Sequence, residues 1–164
     1  MSKYIIQYEP FEPLRCELLA VMNYKLPWET RRYALFGSSV MYLHGLREEI
    51  GDIDIFVDRY IYDQLKQRGW QEQRPRPEDP PLLEAWLPGG QLPVHAFYDW
   101  KKRGMQIDVE ELLSNPEVIL GWPVQPLAQL RAWKQSIAHH DTRPNDYDDI
   151  AKIDAYLEEA ARLS

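Results

Sequence analysis

Phe36-Gly37-Ser38, a gap of thirteen residues (39–51), then Asp52-Ile53-Asp54-Ile55 is the stretch on which the reading of this chain turns. Tyr33–Phe36 is a short apolar run that Gly37 ends. Ser38-Ser39-Val40-Met41-Tyr42-Leu43 follows, so the segment predicts a strand, a tight turn and a short helix with a serine as its N-cap. After the polar Glu48–Gly51 loop, Asp52–Val57 alternates at first and then turns fully apolar, as a partly buried strand does. Side chains two apart on a strand share a face, so Asp52 and Asp54 project together while Ile53 and Ile55 turn to the core.

Two carboxylates held side by side repel. At about 5 Å and an effective dielectric of ~20 the cost is roughly 3 kcal/mol, which a bridging divalent cation reverses. Oxygen ligands favour Mg²⁺ or Mn²⁺. Gly37 lets a phosphate approach the backbone. The Ser38 hydroxyl and the free N–H groups of a helix start can hold its oxygens. The two halves together suit a metal–triphosphate.

Working outward, the rest of the chain reads as short alternating elements punctuated by 13 prolines and 8 glycines, the pattern of a mixed α/β (α+β) domain. Upstream, Leu14, Leu18, Leu19 and Met22 predict an amphipathic helix over about residues 11–24. Downstream, Arg59–Trp70 reads as a helix, and Gln71–Pro81, with four prolines and no apolar residue, as a loop. Leu83–Leu87 and Leu92–Tyr98 read as an antiparallel hairpin around Pro88-Gly89-Gly90-Gln91. Met105–Val109 reads as a strand leading into Glu110–Leu113, and Val118–Leu127 alternates between turn residues. Two helices, about Leu127–Ala138 and Asp146–Leu163, close the chain.

The 164 residues carry 19 Lys+Arg against 26 Asp+Glu, a formal charge of −7. One domain over 1–164 is expected, since a chain of this length buries roughly 70% of its unfolded surface without staples. The acidity excludes broad, sequence-blind DNA binding, which needs a basic surface to displace counterions. One cysteine, Cys16, excludes an intrachain disulfide and a multi-cysteine zinc site. No apolar run approaches ~20 residues, and Met1–Pro10 lacks a basic start followed by an apolar stretch, so no membrane partner and a cytoplasmic location are expected.

Phe36-Gly37-Ser38 with Asp52-Ile53-Asp54 resembles the signature of the nucleotidyltransferase superfamily related to DNA polymerase β: an apolar residue, Gly-Gly or Gly-Ser, about 9–13 residues, then Asp-x-Asp or Asp-x-Glu. The chain looks closest to small single-domain members, such as lincosamide-modifying enzymes and the toxin-type proteins of abortive-infection and toxin–antitoxin systems. The likeness continues through Gly69-Trp70, Ile107–Leu112 and Trp133-Lys134 to Arg143-Pro144-Asn145-Asp146-Tyr147-Asp148-Asp149-Ile150, where Asn145 replaces the usual lysine. It implies a small mixed sheet flanked by helices. It also implies transfer of a nucleoside monophosphate from an NTP to a hydroxyl acceptor, which could be a small molecule, a tRNA end or a protein, with an antitoxin as a possible partner.

The resemblance implies metals on Asp52 and Asp54, and β/γ-phosphates at Gly37 and Ser38. A third acidic residue would stand on a neighbouring strand, where aligning Val94-His95-Ala96-Phe97 puts His95 instead. His95 could accept a proton or ligate Mn²⁺ better than Mg²⁺. Asp99 shares its strand face but lies further along. Asp108 alternates with Ile107 and Val109 and could face the metals, although Asp108-x-x-Glu111 is also a helix-capping pattern. Lys134 could reach the phosphates or pair with Asp146 or Asp149, and Arg47 could touch phosphate from the connecting loop. His139-His140 lacks a third regularly spaced ligand for zinc. These features leave two classes open, a nucleotidyltransferase and a catalytically silent binding domain on the same fold.

Overall fold

The computed structural model describes Leu14 and residues 33–86, 92–102, 104–141 and 144–164. The expected helix over about residues 11–24 lies, apart from Leu14, outside these, as do the turn Pro88–Gln91 and the side chains of His139 and His140.

Tyr33–Phe36 forms β1 and Ile53–Val57 forms β2, which pair antiparallel with Phe36 opposite Asp54. Ala34, Leu35, Phe36, Ile53, Ile55, Phe56 and Val57 are all buried, which explains the nearly unbroken apolar reading of both segments. Between them lies α1 (Ser38–Leu43). After β2 come α2 (Arg59–Gln67), β3 (Gln71–Gln73), β4 (Leu82–Trp86) and β5 (Pro93–Phe97). Then follow β6 (Trp100–Lys102), β7 (Met105–Ile107), α3 (Val109–Ser114), β8 (Glu117–Ile119) and β9 (Trp122–Val124). The chain ends in α4 (Leu127–Asp141) and α5 (Pro144–Leu163).

Seven strands make one mixed sheet in the order β3-β4-β5-β2-β1-β9-β8, while β6 and β7 form a separate ribbon. The architecture is therefore α+β. The expected hairpin pairing is present, β4 running antiparallel to β5 with Glu84 opposite His95. Strand β5 also runs parallel to β2, with His95 opposite Asp54. Helices α1 and α3 pack on β1 and β2, and α4 and α5 pack on each other. Phe36 stacks on Phe56 with ring centroids 4.0 Å apart, and Trp100 and Trp133 close over Phe36 edge-on.

Four expectations need correction. Helix α2 ends at Gln67 rather than Trp70, because Gly69 takes a positive φ of 99° and turns Trp70 back into the core. The segment expected as a loop throughout starts with strand β3, whose exposed Gln71–Gln73 pairs with β4 at the sheet edge, where polar side chains meet water. Val118–Leu127 is a hairpin of β8 and β9 turning through Leu120 and Gly121, both at positive φ, followed by the start of α4. Finally, the strand expected over Met105–Val109 ends at Ile107, and Asp108 becomes the N-cap of α3, its carboxylate accepting from the Glu111 amide at 3.0 Å.

Candidate active site

The Gly-Ser turn is built by one backbone conformation. Gly37 sits at φ 70°, ψ −141°, a region essentially closed to residues with a side chain, and a Cβ there would stand 3.3 Å from Asp54 Oδ2. Gly37, not a serine, is the N-cap of α1, and no side chain caps that helix. Ser38 is instead the first residue inside the helix, and its hydroxyl accepts from Arg47 Nη1 at 3.1 Å. The turn is tethered from behind by Gln125, fully buried at the end of β9, whose Oε1 accepts from the Gly37 amide at 3.4 Å.

Beside this turn stand the two aspartates. Asp54 lies on β2 and Asp52 just before it. The neighbouring strand adds His95, whose Nδ1 is 3.3 Å from Asp54 Oδ1 and 3.6 Å from Asp52 Oδ2. One ligand atom from each of the three lies within 4.8 Å of the others. Across the next strand, Glu84 Oε2 is 2.8 Å from His95 Nε2, and Gln73 Nε2 donates to Glu84 Oε1 at 3.2 Å. The register aligns Asp54, His95 and Glu84 in one row across the sheet.

This row governs the protonation of its members. Burial pushes the Asp54 carboxyl up to about 6, opposed by the hydrogen bond from His95 and reinforced by the charge of Asp52. The hydrogen bond to Asp54 lifts His95 to about 9 against the effect of burial, with Glu84 adding to the rise. The donor set, two carboxylates and an imidazole gathered around one point, fits a divalent cation.

Asp52, Asp54 and His95 open with Gly37, Ser38, Phe36, Phe97, Trp100, Lys102, Trp133, Lys134 and Ile137 onto one cavity of about 240 Å³. Lys134 is 3% exposed and reaches both Asp146 Oδ1 at 3.1 Å and Asp149 Oδ2 at 2.9 Å, so it is no surface lysine. Arg47 pairs with Asp149 through two nitrogens while holding Ser38. Burial alone would raise the Asp149 carboxyl, but the hydrogen bonds from Arg47 and Lys134 outweigh it and hold it below the usual range. Asp146 and Asp149 thereby lock the first turns of α5 onto α4 and the Gly-Ser turn.

Of the residues singled out in the sequence, Gly37, Ser38, Asp52, Asp54, His95 and Lys134 share this cavity, and Arg47 reaches it through Ser38. Asp108 caps α3 and is not among the grouped ligands, and Asp99 is exposed between β5 and β6. Sequence reasoning missed Glu84, Gln125 and Lys102. Lys102 pairs with Asp79 of the proline-rich loop at 2.7 Å. A signal for Glu84 was present, because the 84↔95 pairing is symmetric about the Gly89-Gly90 step of the sequence. Gln125 is placed by the parallel contact of β9 with β1, which no local pattern announces.

No protein-family model and no curated protein sequence matches the chain. Solved structures do. A candidate nucleotidyltransferase from Thermotoga maritima superimposes with a TM-score of 0.58 at 16% identity, over 92% of this chain and 94% of the other. JHP933 from Helicobacter pylori does so at 0.52 and 16%, over 93% and 68%. ANT(2″)-Ia, solved in complex with adenylyl-2″-tobramycin, aligns at 0.48 and 13%, over 92% and 91%. The chain has a nucleotidyltransferase fold. Among the described residues, no helix is long and apolar enough to cross a membrane.

Proposed function

We propose that the protein is a metal-dependent nucleotidyltransferase that moves a nucleoside monophosphate from an NTP to a hydroxyl acceptor and releases pyrophosphate. The observation that carries this reading is the meeting of Asp52, Asp54 and His95 with the Gly37-Ser38 turn on one cavity. Asp52, Asp54 and His95 would hold Mg²⁺ or Mn²⁺. When bound, the cation supplies Lewis acidity that neutralises charge on the attacking and leaving oxygens.

The chain's own residues do the rest. Gly37, with no Cβ, leaves room for a phosphate against the backbone, and the Ser38 hydroxyl, held by Arg47, offers a hydrogen bond to it. Arg47 and Lys134, each paired with Asp149, would stand toward the phosphates. The acceptor oxygen forms a bond to the α-phosphorus as the bond to the β-phosphate's bridging oxygen breaks, and the hydroxyl proton passes to a base at the carboxylate–histidine row. The acceptor falls in the class of small molecules, tRNA ends or protein hydroxyls.

Incubation with each labelled NTP, Mg²⁺ or Mn²⁺ and acceptors of these three kinds tests the proposal. Transfer is expected from the wild type and none from the Asp52→Asn, Asp54→Asn double variant. Transfer that survives both substitutions would remove the mechanism.

One observation favours a second reading. Both ring nitrogens of His95 already face carboxylates, so an imidazolium can stand where a metal would. A chain that keeps this arrangement would be a silent nucleotide- or partner-binding domain. Calorimetry with NTP and Mn²⁺, read beside the transfer assay, separates the two: binding with transfer supports the enzyme, binding without transfer a silent nucleotide-binding domain, and no metal-dependent NTP binding a partner-binding one.

A further inference from the structure

Glu84 holds neither metal nor phosphate in the proposed function, yet it makes the shortest contact to His95, 2.8 Å at Nε2, from the strand on the far side of the metal pair. Nδ1, the other ring nitrogen, is the atom that faces Asp54 and Asp52. An imidazole can ligate a cation only through a nitrogen without a proton, and a carboxylate on one nitrogen keeps the proton there. The imidazole is part-buried, 19% exposed, and Glu84 is itself fixed by Gln73, so the ring has little freedom to turn.

We infer that Glu84 is a positioning residue that accepts the His95 Nε2–H and so presents Nδ1, with Asp52 and Asp54, as the third ligand of a two-carboxylate, one-imidazole metal centre that prefers Mn²⁺ to Mg²⁺. The inference rests on the reading of Asp52 and Asp54 as metal ligands. Geometry supports it further: neighbouring ligands of an octahedral cation with bonds of about 2.1 Å lie about 3.0 Å apart. The 3.3 and 3.6 Å separations around Nδ1 need to shrink by about 0.3 and 0.6 Å. The preference follows from ligand type, because Mg²⁺ demands oxygen whereas Mn²⁺ accepts an imidazole nitrogen. Glu84 has the same effect on the ring that an outer carboxylate has in carboxylate–histidine–metal triads generally.

The experiment is Mn²⁺ binding to the full chain without nucleotide, measured by calorimetry and by nitrogen coupling in the pulsed electron paramagnetic resonance spectrum of the bound ion. The wild type is expected to show a nitrogen coupling that His95→Gln abolishes. Glu84→Leu should weaken Mn²⁺ by about 10–100-fold, while Glu84→Gln, whose amide oxygen still accepts from Nε2–H, should retain most of the affinity. His95→Asp should shift the preference toward Mg²⁺. Mn²⁺ bound to the wild type without nitrogen coupling overturns the inference and leaves Asp52 and Asp54 as ligands. So does Glu84→Leu binding as the wild type does. Absence of any Mn²⁺ binding that Asp52→Asn plus Asp54→Asn removes overturns the metal reading itself. The wild-type spectrum decides even where Glu84→Leu does not fold.

Discussion

Two charged clusters border the same cavity and are built on opposite terms. On the α5 side, Asp146 and Asp149 meet Lys134 and Arg47, two negative and two positive groups, with Lys134, Asp146 and Asp149 nearly sealed from water. On the sheet side, His95 is the one ion-pair partner of Asp52, Asp54 and Glu84 among the described residues, and Asp52 is 41% exposed. A dry cluster must balance its charges and fix every partner, because an unpaired ion there costs several kcal/mol. A wetter cluster can carry an excess of carboxylates, and the excess is what makes it receptive to a cation. The balanced cluster braces the turn that would meet phosphate, and the unbalanced one is where the proposed chemistry would take place.

The brace should yield the largest loss of stability. Lys134→Met removes the cation that two buried carboxylates share, Asp149 keeping Arg47, and is expected to cost about 3–5 kcal/mol, read from the urea midpoint. His95→Gln should cost the metal-free protein less, since its carboxylates reach water. Equal losses would erase the distinction between the clusters.

Gly37→Ala touches the seam between them. The positive φ and the 3.3 Å approach to Asp54 Oδ2 predict a loss of about 1–3 kcal/mol in thermal unfolding, together with weaker Mn²⁺ binding as Asp54 is displaced. A stability loss with metal affinity unchanged would separate the turn from the site.

The smallest effect is a pH dependence. The Asp149 carboxyl is held below its ordinary value of about 3.9, so the stability it contributes is present above that value and lost as pH falls through the folded value. Arg47→Leu should flatten that acid limb. An unchanged acid limb would show that the Arg47 pair adds no stability.

The site was partly legible in the sequence because its first half is local. The Gly37-Ser38 turn follows a strand directly, and Asp52 and Asp54 sit two apart on or beside the next. His95 was found by aligning Val94–Phe97 with the acidic strand that the family resemblance implies. Asp108 stood between two local readings, a strand face by alternation and a helix cap by the Asp108-x-x-Glu111 pattern, and the second holds: the chain leaves the strand one residue earlier and spends the carboxylate on a helix amide. Edge strand β3 was hidden for a related reason, since Gln71–Gln73 has no buried face and its pairing depends on β4 alone.

What the sequence by itself determined is the order of strand, turn, helix and strand around Gly37 and the shared face of Asp52 and Asp54, because side-chain periodicity and glycine's backbone freedom act over a few residues. Only the tertiary structure decided that His95 is held between Asp54 and Glu84, that Lys134 is buried against Asp146 and Asp149, and that Arg47 joins Asp149 to Ser38. Those contacts join residues from separate elements, and their partners are fixed by strand register and helix packing, which no local pattern records.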